Sequence, residues 1–320
     1  IAQCLVGSEM CIRDRIQTVE HCESFSIYRS QDSTGDCEVT VYPVFSGIEL
    51  VYYDVHMQSC DINIAKGREM LIITHCQEGR IEFEYKNGEY LYLASGDLSI
   101  QKNTENIRHR YCPLSHYHGV SVAIDMNRVP RCFSCILDDV FVSPEELEMK
   151  FCSEKPYSIM RENISIEHIF SELYSVPENI RKGYHKVKVL ELLLFLSGLE
   201  YKGESEERRY FSRSQVTAAK EAKKYLLAHL DEHITITELA DMLGISSTSL
   251  KICFKGVYGD TINGYITNCK MQKAASLLKN TDKSVLEIAG IVGYNNGSKF
   301  AGAFRRVMNK SPNEYRKSLV

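Results

Sequence analysis

The sequence predicts a multidomain α+β protein, with a β-barrel or jelly roll at the N-terminus, a helical segment in the middle and an all-α tandem helix-turn-helix domain at the C-terminus. Three observations indicate this fold class. Short β-branched and aromatic segments, separated by turn residues, fill the first third of the chain. Apolar residues at helical spacing follow them. A short segment near the C-terminus then recurs about 50 residues later.

The expected domain boundaries follow from changes in composition along the chain. The first residues end in Met10-Cys11-Ile12-Arg13-Asp14, which reads as a translated sequencing adapter, so we expect an adapter artefact or a disordered arm there and exclude it from fold reasoning. A charged linker separates the helical segment from the C-terminal domain. The five expected segments are the artefact or arm over 1–15, the β domain over 16–125, the helices over 126–200, the linker over 201–212 and the helix-turn-helix domain over 213–320.

Short strands and tight turns account for the β domain. The segments 48–53 and 81–85 are β-branched, aromatic and partly alternating, which is typical of strands. Asn87-Gly88 supplies the pair of positive φ angles that a hairpin turn needs, and Ser95-Gly96-Asp97 predicts a second turn. Many short antiparallel strands joined in this way favour a small barrel or jelly roll.

Helices are expected between the β domain and the linker. Ser143 followed by Pro144 is a helix start, with Ser as the N-cap. The segment 187–199 is apolar around most of a helix, which predicts a homodimer that buries the second face and includes Leu193 and Leu196. The alternative is that an earlier helix of the same chain covers that face. Its residues are Ile166, Ile169, Phe170 and Leu173.

Charge is distributed unevenly along the chain. The whole sequence has 38 Lys and Arg against 42 Asp and Glu, a formal net charge of −4. Residues 213–320 hold 16 basic and 9 acidic residues, which leaves 22 and 33 for residues 1–212. A basic C-terminal third on an acidic body indicates a polyanionic partner for that third only. The longest apolar stretch is too short to span a bilayer, so we expect a cytoplasmic protein without a membrane partner.

An internal repeat predicts a tandem pair of helix-turn-helix units. The segments 238–244 and 287–293 each place a small Ala on a first helix and a Gly at its end, where a left-handed backbone is needed. Apolar residues further on anchor a second helix, whose opposite face stays free for a DNA major groove. A stiff helix over 262–279 joins the two units, and a capping box at Ser311 closes the domain.

Three stretches closely resemble the AraC-type DNA-binding domain over about 215–317. They are Ile-Ala-x-x-Val-Gly-Tyr at 288–294, Phe-x-x-x-Phe-Arg-Arg at 300–306 and Ser-Pro-x-x-Tyr-Arg at 311–316. The resemblance implies a bacterial transcription regulator that binds double-stranded DNA sequence-specifically. It also implies a response to a small-molecule effector, and contact with RNA polymerase if the protein is an activator. The sequence departs from the family pattern at Gly297, Gly302 and Asn309.

The same resemblance implies which side chains contact DNA. Lys suits guanine acceptors, Asn suits adenine, and Thr or Ile suits the thymine methyl group. Cations further along each second helix suit phosphates, which add affinity without sequence information. The base-reading candidates are Ser247, Thr248, Lys251, Ile252, Asn296, Ser298 and Lys299, and the phosphate candidates are Lys255, Arg305 and Arg306.

The β domain resembles the cupin-type sensor domain of AraC-type regulators, through Cys76-Gln77-Glu78-Gly79 and the later Gly96-Asp97-Leu98. Enzymatic cupins hold a metal with a His-x-His pair, a Glu and a later His, and only His75 and Glu78 are present here. His116 and His118 share one face of a later strand, where they line a pocket or hold a metal. We favour a pocket without metal or cofactor, and expect His75, His116 and His118 to bind the effector.

Two other functions stay open on the sequence. One is a cupin-type metalloenzyme with a DNA-binding tail, although no catalytic nucleophile and base are recognised. The other is a thiol redox-sensing regulator that uses Cys132 and Cys135, the one CxxC pair among twelve cysteines. We favour reduced thiols that pack as small hydrophobic groups.

Overall fold

The computed structural model describes residues 16–22, 24–59, 69–102, 107–130, 142–161, 163–201, 211–232 and 234–318. The chain divides into two compact units, Ile1–Tyr210 and Phe211–Val320. The segment 1–15, nearly all of the expected linker, and the Cys132 and Cys135 pair lie outside the described residues. Within the described ranges, no helix combines the length and the apolar character that crossing a membrane requires.

The first unit contains an extensive antiparallel sheet, as the alternating segments predict. Its order is β1-β2-β3-β4-β9-β5-β7-β10, with β6 and β8 both paired to β5. The strands are β1 (Ile16–His21), β2 (Ser26–Asp32), β3 (Gly35–Phe45), β4 (Ile48–His56), β5 (Met70–Tyr85), β6 (Tyr90–Ala94), β7 (Leu98–Lys102), β8 (Ile107–Tyr111), β9 (Tyr117–Asp125) and β10 (Tyr157–Met160).

Strand β5 bends in its middle and so serves two groups of neighbours. Its first half pairs with β7 and β9, and its second half pairs with β6 and β8. The ladder with β9 is interrupted by a bulge between Cys76 and Glu78, and Gly79 follows with a φ of +80°. A bulge followed by a left-handed glycine lets a strand change direction. The expected turns at Asn87-Gly88 and Gly96 are present, and both glycines have positive φ. The predicted pair of positive φ angles at Asn87 and Gly88 is wrong, because Gly88 adopts the left-handed conformation and Asn87 does not.

Three helices pack against one face of this sheet: α1 (Pro144–Cys152), α2 (Ile164–Tyr174) and α3 (Arg181–Gly198). The expected start of α1 is confirmed, because the Ser143 side chain accepts a hydrogen bond from the Glu146 backbone amide. Apolar side chains of all three helices join strand residues in a single core. Its buried members include Leu50, Leu71, Ile73, Val120, Val122, Phe151, Phe170, Val189 and Leu192.

The expected placement of Leu193 and Leu196 in a dimer interface is wrong. Both side chains are completely buried within one chain, in the same core as Ile169 and Leu173 of α2. The alternative, in which the earlier helix covers that face, therefore describes these residues. The apolar side chains that α3 leaves on its outer surface are Val187, 61% exposed, and Leu194, 42% exposed.

The second unit is helical, and both expected helix pairs are present within the described residues. The capping box at Ser311 is confirmed, and two further capping boxes, Thr235 with Glu238 and Ser284 with Glu287, begin the first helix of each pair. Each satisfies backbone amides that the first helical turn leaves unpaired. The helices are α4 (Arg213–Ala228), α5 (Ile236–Met242), α6 (Ser247–Tyr258), α7 (Ile262–Asn280), α8 (Val285–Ile291), α9 (Gly297–Met308) and α10 (Pro312–Lys317).

Candidate nucleic-acid interface

The two helix pairs, α5–α6 and α8–α9, turn in the same way. Gly244 and Gly293 adopt φ angles of +67° and +77°, as the sequence predicts for the residue that ends each first helix. The following amide donates back to the carbonyl of the buried alanine: Ile245 to Ala240 over 3.1 Å and Tyr294 to Ala289 over 2.8 Å. This six-to-one bond around a left-handed glycine is a Schellman ending. It fixes the direction in which each second helix leaves the turn.

Buried side chains hold one face of each second helix. Phe254 of α6 packs edge-on against Tyr265, with ring centroids 5.6 Å apart. Phe304 of α9 packs edge-on against Tyr315 at 5.5 Å. The anchors expected from the repeat are confirmed, and all four are fully buried: Leu250, Phe254, Phe300 and Phe304.

The opposite face of α6 carries the first set of predicted DNA-contacting residues. Thr248, Lys251 and Lys255 are exposed, and their spacing of three and four residues places them on one side of the helix. Ser247 and Ile252 flank this side and are half-buried. The structure therefore places these five residues together on α6, and the two lysines among them are exposed.

The outer face of α9 is also basic. Ser298, Lys299, Arg305 and Arg306 are all exposed. Within the part of the chain that the structure describes, neither these three cations nor the two on α6 form an ion pair with a carboxylate. Their charged groups are therefore not held by a carboxylate of the domain at ion-pair distance. Exposed guanidinium and ammonium groups on one helix face are the groups that contact phosphates and guanine edges.

Asn296 has a structural role that the sequence analysis did not anticipate. It is the N-cap of α9, and its Oδ1 accepts a hydrogen bond of 3.0 Å from the Lys299 backbone amide. A bidentate contact with adenine uses the amide oxygen as well as the nitrogen, and here the oxygen already accepts the capping bond. Gly302 leaves a gap on the same face, since a Cβ there would meet no atom within 4 Å. Lys299 thus stands out as the base-reading candidate of α9.

Some cations of the basic domain stabilise its fold. Arg316 donates hydrogen bonds to the carbonyls of Thr281 and Lys283, at 3.5 and 2.5 Å, and so ties α10 to the segment before α8. Lys223 lies over the ring of Tyr258, 5.0 Å from its centroid, and burial lowers the pKa of this lysine. The net charge of the sequence includes Arg316 and Lys223. Their contacts within the domain, however, distinguish them from the exposed cations of α6 and α9.

The three histidines predicted to bind an effector do not form one group. His75 is completely buried, stacks on Phe170 with centroids 4.4 Å apart, and lies 3.2 Å from the Tyr174 hydroxyl. Burial lowers its pKa, against the opposing influence of Glu167. His116 and His118 lie together at the half-exposed start of β9, with ring centroids 4.5 Å apart. The expected grouping of His75 with the other two is therefore corrected.

The first unit contains a cavity of about 320 Å³ between β3, β4, β9 and the ends of α2 and α3. Of the three histidines, only His118 lines it. Tyrosine rings form part of its wall, and carboxylate, amide, guanidinium and imidazole groups also face it. The lining residues are Glu38, Thr40, Tyr42, Tyr52, Tyr53, Asp54, Gln77, His118, Gly119, Leu173, Tyr174, Val176, Arg181 and His185.

His185 is the most deeply buried titratable group of this wall. It is 3% exposed, and its Nε2 lies 3.2 Å from the Tyr52 hydroxyl, which donates to the Leu173 carbonyl over 3.0 Å. Because that hydroxyl proton is engaged, the imidazole N–H donates to the Tyr52 oxygen. Burial, and secondarily the charge of Arg181, lowers the pKa of His185 to about 4. The ring is therefore neutral at physiological pH.

Comparison with known proteins finds similarity that includes the second unit. A family profile described as a helix-turn-helix domain matches residues 239–318. The xylose operon regulatory protein of Escherichia coli K12 is 31% identical over 153 residues, or 45% of this chain and 39% of that protein. A putative AraC-like transcription regulator of Streptomyces lividans is 34% identical over 83 residues, or 26% of this chain and 27% of that protein. This chain thus spans well under half the length of both relatives.

A solved structure also matches part of the chain. The C-terminal domain of AraT, a response regulator from Geobacillus stearothermophilus, is 32% identical and covers 32% of this chain and 84% of its own, with a TM-score of 0.31. The two relatives named above are described as an operon regulatory protein and a putative transcription regulator, not as enzymes. The matched profile and the duplicated turn geometry concern the same residues. The C-terminal unit thus contains a helix-turn-helix domain similar to that of AraC-like transcription regulators.

Proposed function

We propose that this chain is a transcription regulator that binds double-stranded DNA with α6 and α9 and responds to a small molecule bound by its β domain. The observation that carries the proposal is the pair of matching helix-turn-helix units, each with an outer face of unpaired cations. Such second helices enter the major groove, and the cations beside them contact the phosphates. The relatives are regulators, which favours this function over a metalloenzyme with a DNA-binding tail.

Two substitutions on α9 separate base reading from phosphate binding. Lys299→Ala is expected to weaken binding by roughly 1–3 kcal/mol at a site selected by the wild-type chain from random DNA, and to leave binding to unrelated DNA almost unchanged. Arg306→Ala is expected to weaken binding to both and to reduce the slope of log affinity against log salt by about one. Fluorescence anisotropy at several salt concentrations measures both effects.

The two variants serve as controls for each other, because both positions are exposed on one helix. Equal losses on selected and unrelated DNA for Lys299→Ala would remove its base-reading role. If the wild-type chain selects no sequence and shows no salt-dependent affinity, the proposed function itself is wrong.

The effector is proposed to bind in the cavity of the first unit. Its volume is at the lower end of the range for small-molecule sites. Tyrosine faces beside Glu38, Asp54 and Arg181 suit a polar molecule of sugar size, which stacks on rings and exchanges hydrogen bonds with charged groups. Thermal-shift screening of sugars and other small metabolites against the full chain tests this part of the proposal.

Three further features complete the proposal. The sheet and its helices act as a cupin-like sensor in the cytoplasm, and RNA polymerase is contacted if the protein is an activator. A homodimer is proposed to form along the outer face of α3, where Val187 and Leu194 are exposed; sedimentation of the wild-type chain at micromolar concentration tests this. The thiol-sensing alternative stays a prediction, because Cys132 and Cys135 lie outside the described residues.

A further inference from the structure

Three histidines and two carboxylates lie on one face of three neighbouring strands, at one edge of the cavity. Asp54 of β4 pairs with His118 of β9, and Glu78 of β5 pairs with His118 from the other side. Continuing the β4–β9 register by two residues places His56 opposite His116. Because alternate residues of a strand share a face, these side chains converge. The cluster is thus a consequence of strand pairing and not of sequence proximity.

The polar atoms of this cluster are close to one another. The Nε2 atoms of His56 and His118 are 3.5 Å apart, and the Nδ1 atoms of His56 and His116 are 3.4 Å apart. Asp54 Oδ1 lies 2.7 Å from His118 Nε2 and 2.9 Å from His56 Nε2. Glu78 Oε2 lies 3.3 Å from His116 Nε2. One nitrogen from each of the three rings fits within 4.8 Å of the other two.

The backbone around His116 is held from two sides. Ser115 precedes it with a φ of +54°, a left-handed conformation that non-glycine residues seldom adopt. Gly79 of β5 approaches so closely that a Cβ there would collide with the His116 carbonyl oxygen. That carbonyl also accepts a hydrogen bond of 3.4 Å from the Arg80 amide. An uncommon backbone conformation persists where the surroundings fix it, and such positions are frequent at binding sites.

We propose that His56, His116 and His118 bind one divalent transition-metal ion of the zinc type, with Asp54 as the fourth ligand. Zinc binds imidazole nitrogen and carboxylate oxygen at about 2.0–2.2 Å, so that ligand atoms arranged as a tetrahedron lie roughly 3.3 Å apart. The observed separations are close to this spacing. Imidazole donors favour zinc, copper, nickel and iron over calcium and magnesium, which prefer all-oxygen sites. Glu78 then orients His116, as carboxylates do behind metal-bound histidines.

This site differs from what the sequence indicated. The sequence spacing groups His116 with His118 alone and favours a pocket without metal. His56 precedes His116 by sixty residues, and only the pairing of β4 with β9 brings it into place. The site also lies apart from His75, the candidate position for the enzymatic cupin pattern, which is buried against Phe170. Asp54 and His118 line the cavity, so the bound ion would place positive charge on its wall.

Metal titration of the full chain tests the proposal. The protein is stripped with a chelator, exchanged into chelator-free buffer at pH 7.5, and titrated with Zn²⁺ by calorimetry. We expect one ion per chain, and at least tenfold weaker binding for His56→Gln and for His118→Gln. His168→Gln is the matched control, because His168 is exposed on α2 and distant in sequence from the cluster; it should bind as the wild type does.

Cobalt distinguishes this site from cysteine ligation elsewhere in the chain. Co²⁺ bound by nitrogen and oxygen gives visible d–d bands without the intense near-ultraviolet charge-transfer band of thiolate ligation. The Cys132→Ser, Cys135→Ser double variant should keep the same spectrum and stoichiometry. Circular dichroism of each metal-free variant checks its fold, and His116→Gln replaces a variant that fails to fold. No stoichiometric Zn²⁺ binding by the wild type, or undiminished binding by the folded histidine variants, would overturn the proposal.

Discussion

Phe304→Ala is expected to lower the free energy of unfolding of the C-terminal unit by about 3–5 kcal/mol, the usual cost of removing a buried phenylalanine. Phe304 is fully buried and lies between Phe300 and Tyr315, at centroid distances of 5.8 and 5.5 Å. Its loss leaves a cavity beneath α9 and removes the support that aims its outer face. Urea denaturation followed by circular dichroism measures the loss, and DNA affinity at the selected site should fall with it.

The neighbouring residue supplies the control. Arg305→Ala removes an exposed side chain from the same helix, so the free energy of unfolding should change by less than about 1 kcal/mol while DNA affinity falls. Stability and affinity should thus fall together for the variant at position 304, whereas affinity alone should fall for the variant at position 305. A Phe304→Ala variant as stable as the wild type would show that α9 is not held by this aromatic cluster.

Acidification from pH 7.5 to pH 5 is expected to destabilise the first unit through His185. Its pKa is about 4 in the folded chain and 6.5 as a free side chain. The unfolded chain therefore binds the proton first as the pH falls below 6.5, and stability is lost progressively between about pH 6.5 and 4. At pH 5 this single group accounts for about 2 kcal/mol. Urea denaturation at both pH values measures the difference.

His185→Phe isolates this contribution from those of the other histidines. The phenyl ring preserves the edge-on packing against Tyr42, whose centroid lies 4.9 Å away, but it cannot take up a proton. The loss of the hydrogen bond to Tyr52 lowers the free energy of unfolding equally at every pH. The difference in the free energy of unfolding between pH 7.5 and pH 5 should therefore be smaller in the variant than in the wild type, by about 2 kcal/mol. If the free energy of unfolding of the variant differs between pH 7.5 and pH 5 as much as that of the wild type, His185 would be protonated in the folded chain at pH 5.

Local signals made the C-terminal unit predictable. Glycines at left-handed positions, a small alanine on each first helix and apolar anchors follow from short-range geometry, and Gly244, Ala240 and Phe254 are placed as expected. The capping boxes at Thr235 and Ser284 have an equally local signal, which is Thr or Ser followed three residues later by Glu. This signal also predicts where the first helix of each pair begins.

Features that depend on tertiary contacts were not predictable in the same way. The helical pattern of α3 shows that apolar groups surround most of it but not which helix covers them, and so Leu193 was assigned to the wrong partner. The bend of β5 depends on a bulge whose position is fixed by two different neighbours. Strand register, which sequence spacing does not reveal, unites His56 with His116 and His118 and separates them from His75.

Because helix α7 joins the two helix pairs, one recognition helix can bind DNA weakly and still contribute to the affinity of the whole domain. It contacts both helix pairs, through Tyr265 beside Phe254 and through Met271 and Leu278 beside the core of the second pair. Once one recognition helix is bound, its companion faces the adjacent groove at an effective concentration on the order of millimolar, and it loses little further rotational freedom. A companion with a dissociation constant of roughly 0.1 mM alone would then still increase the overall affinity about tenfold. Glycines at 297 and 302 are therefore compatible with a second unit that contributes mainly through avidity.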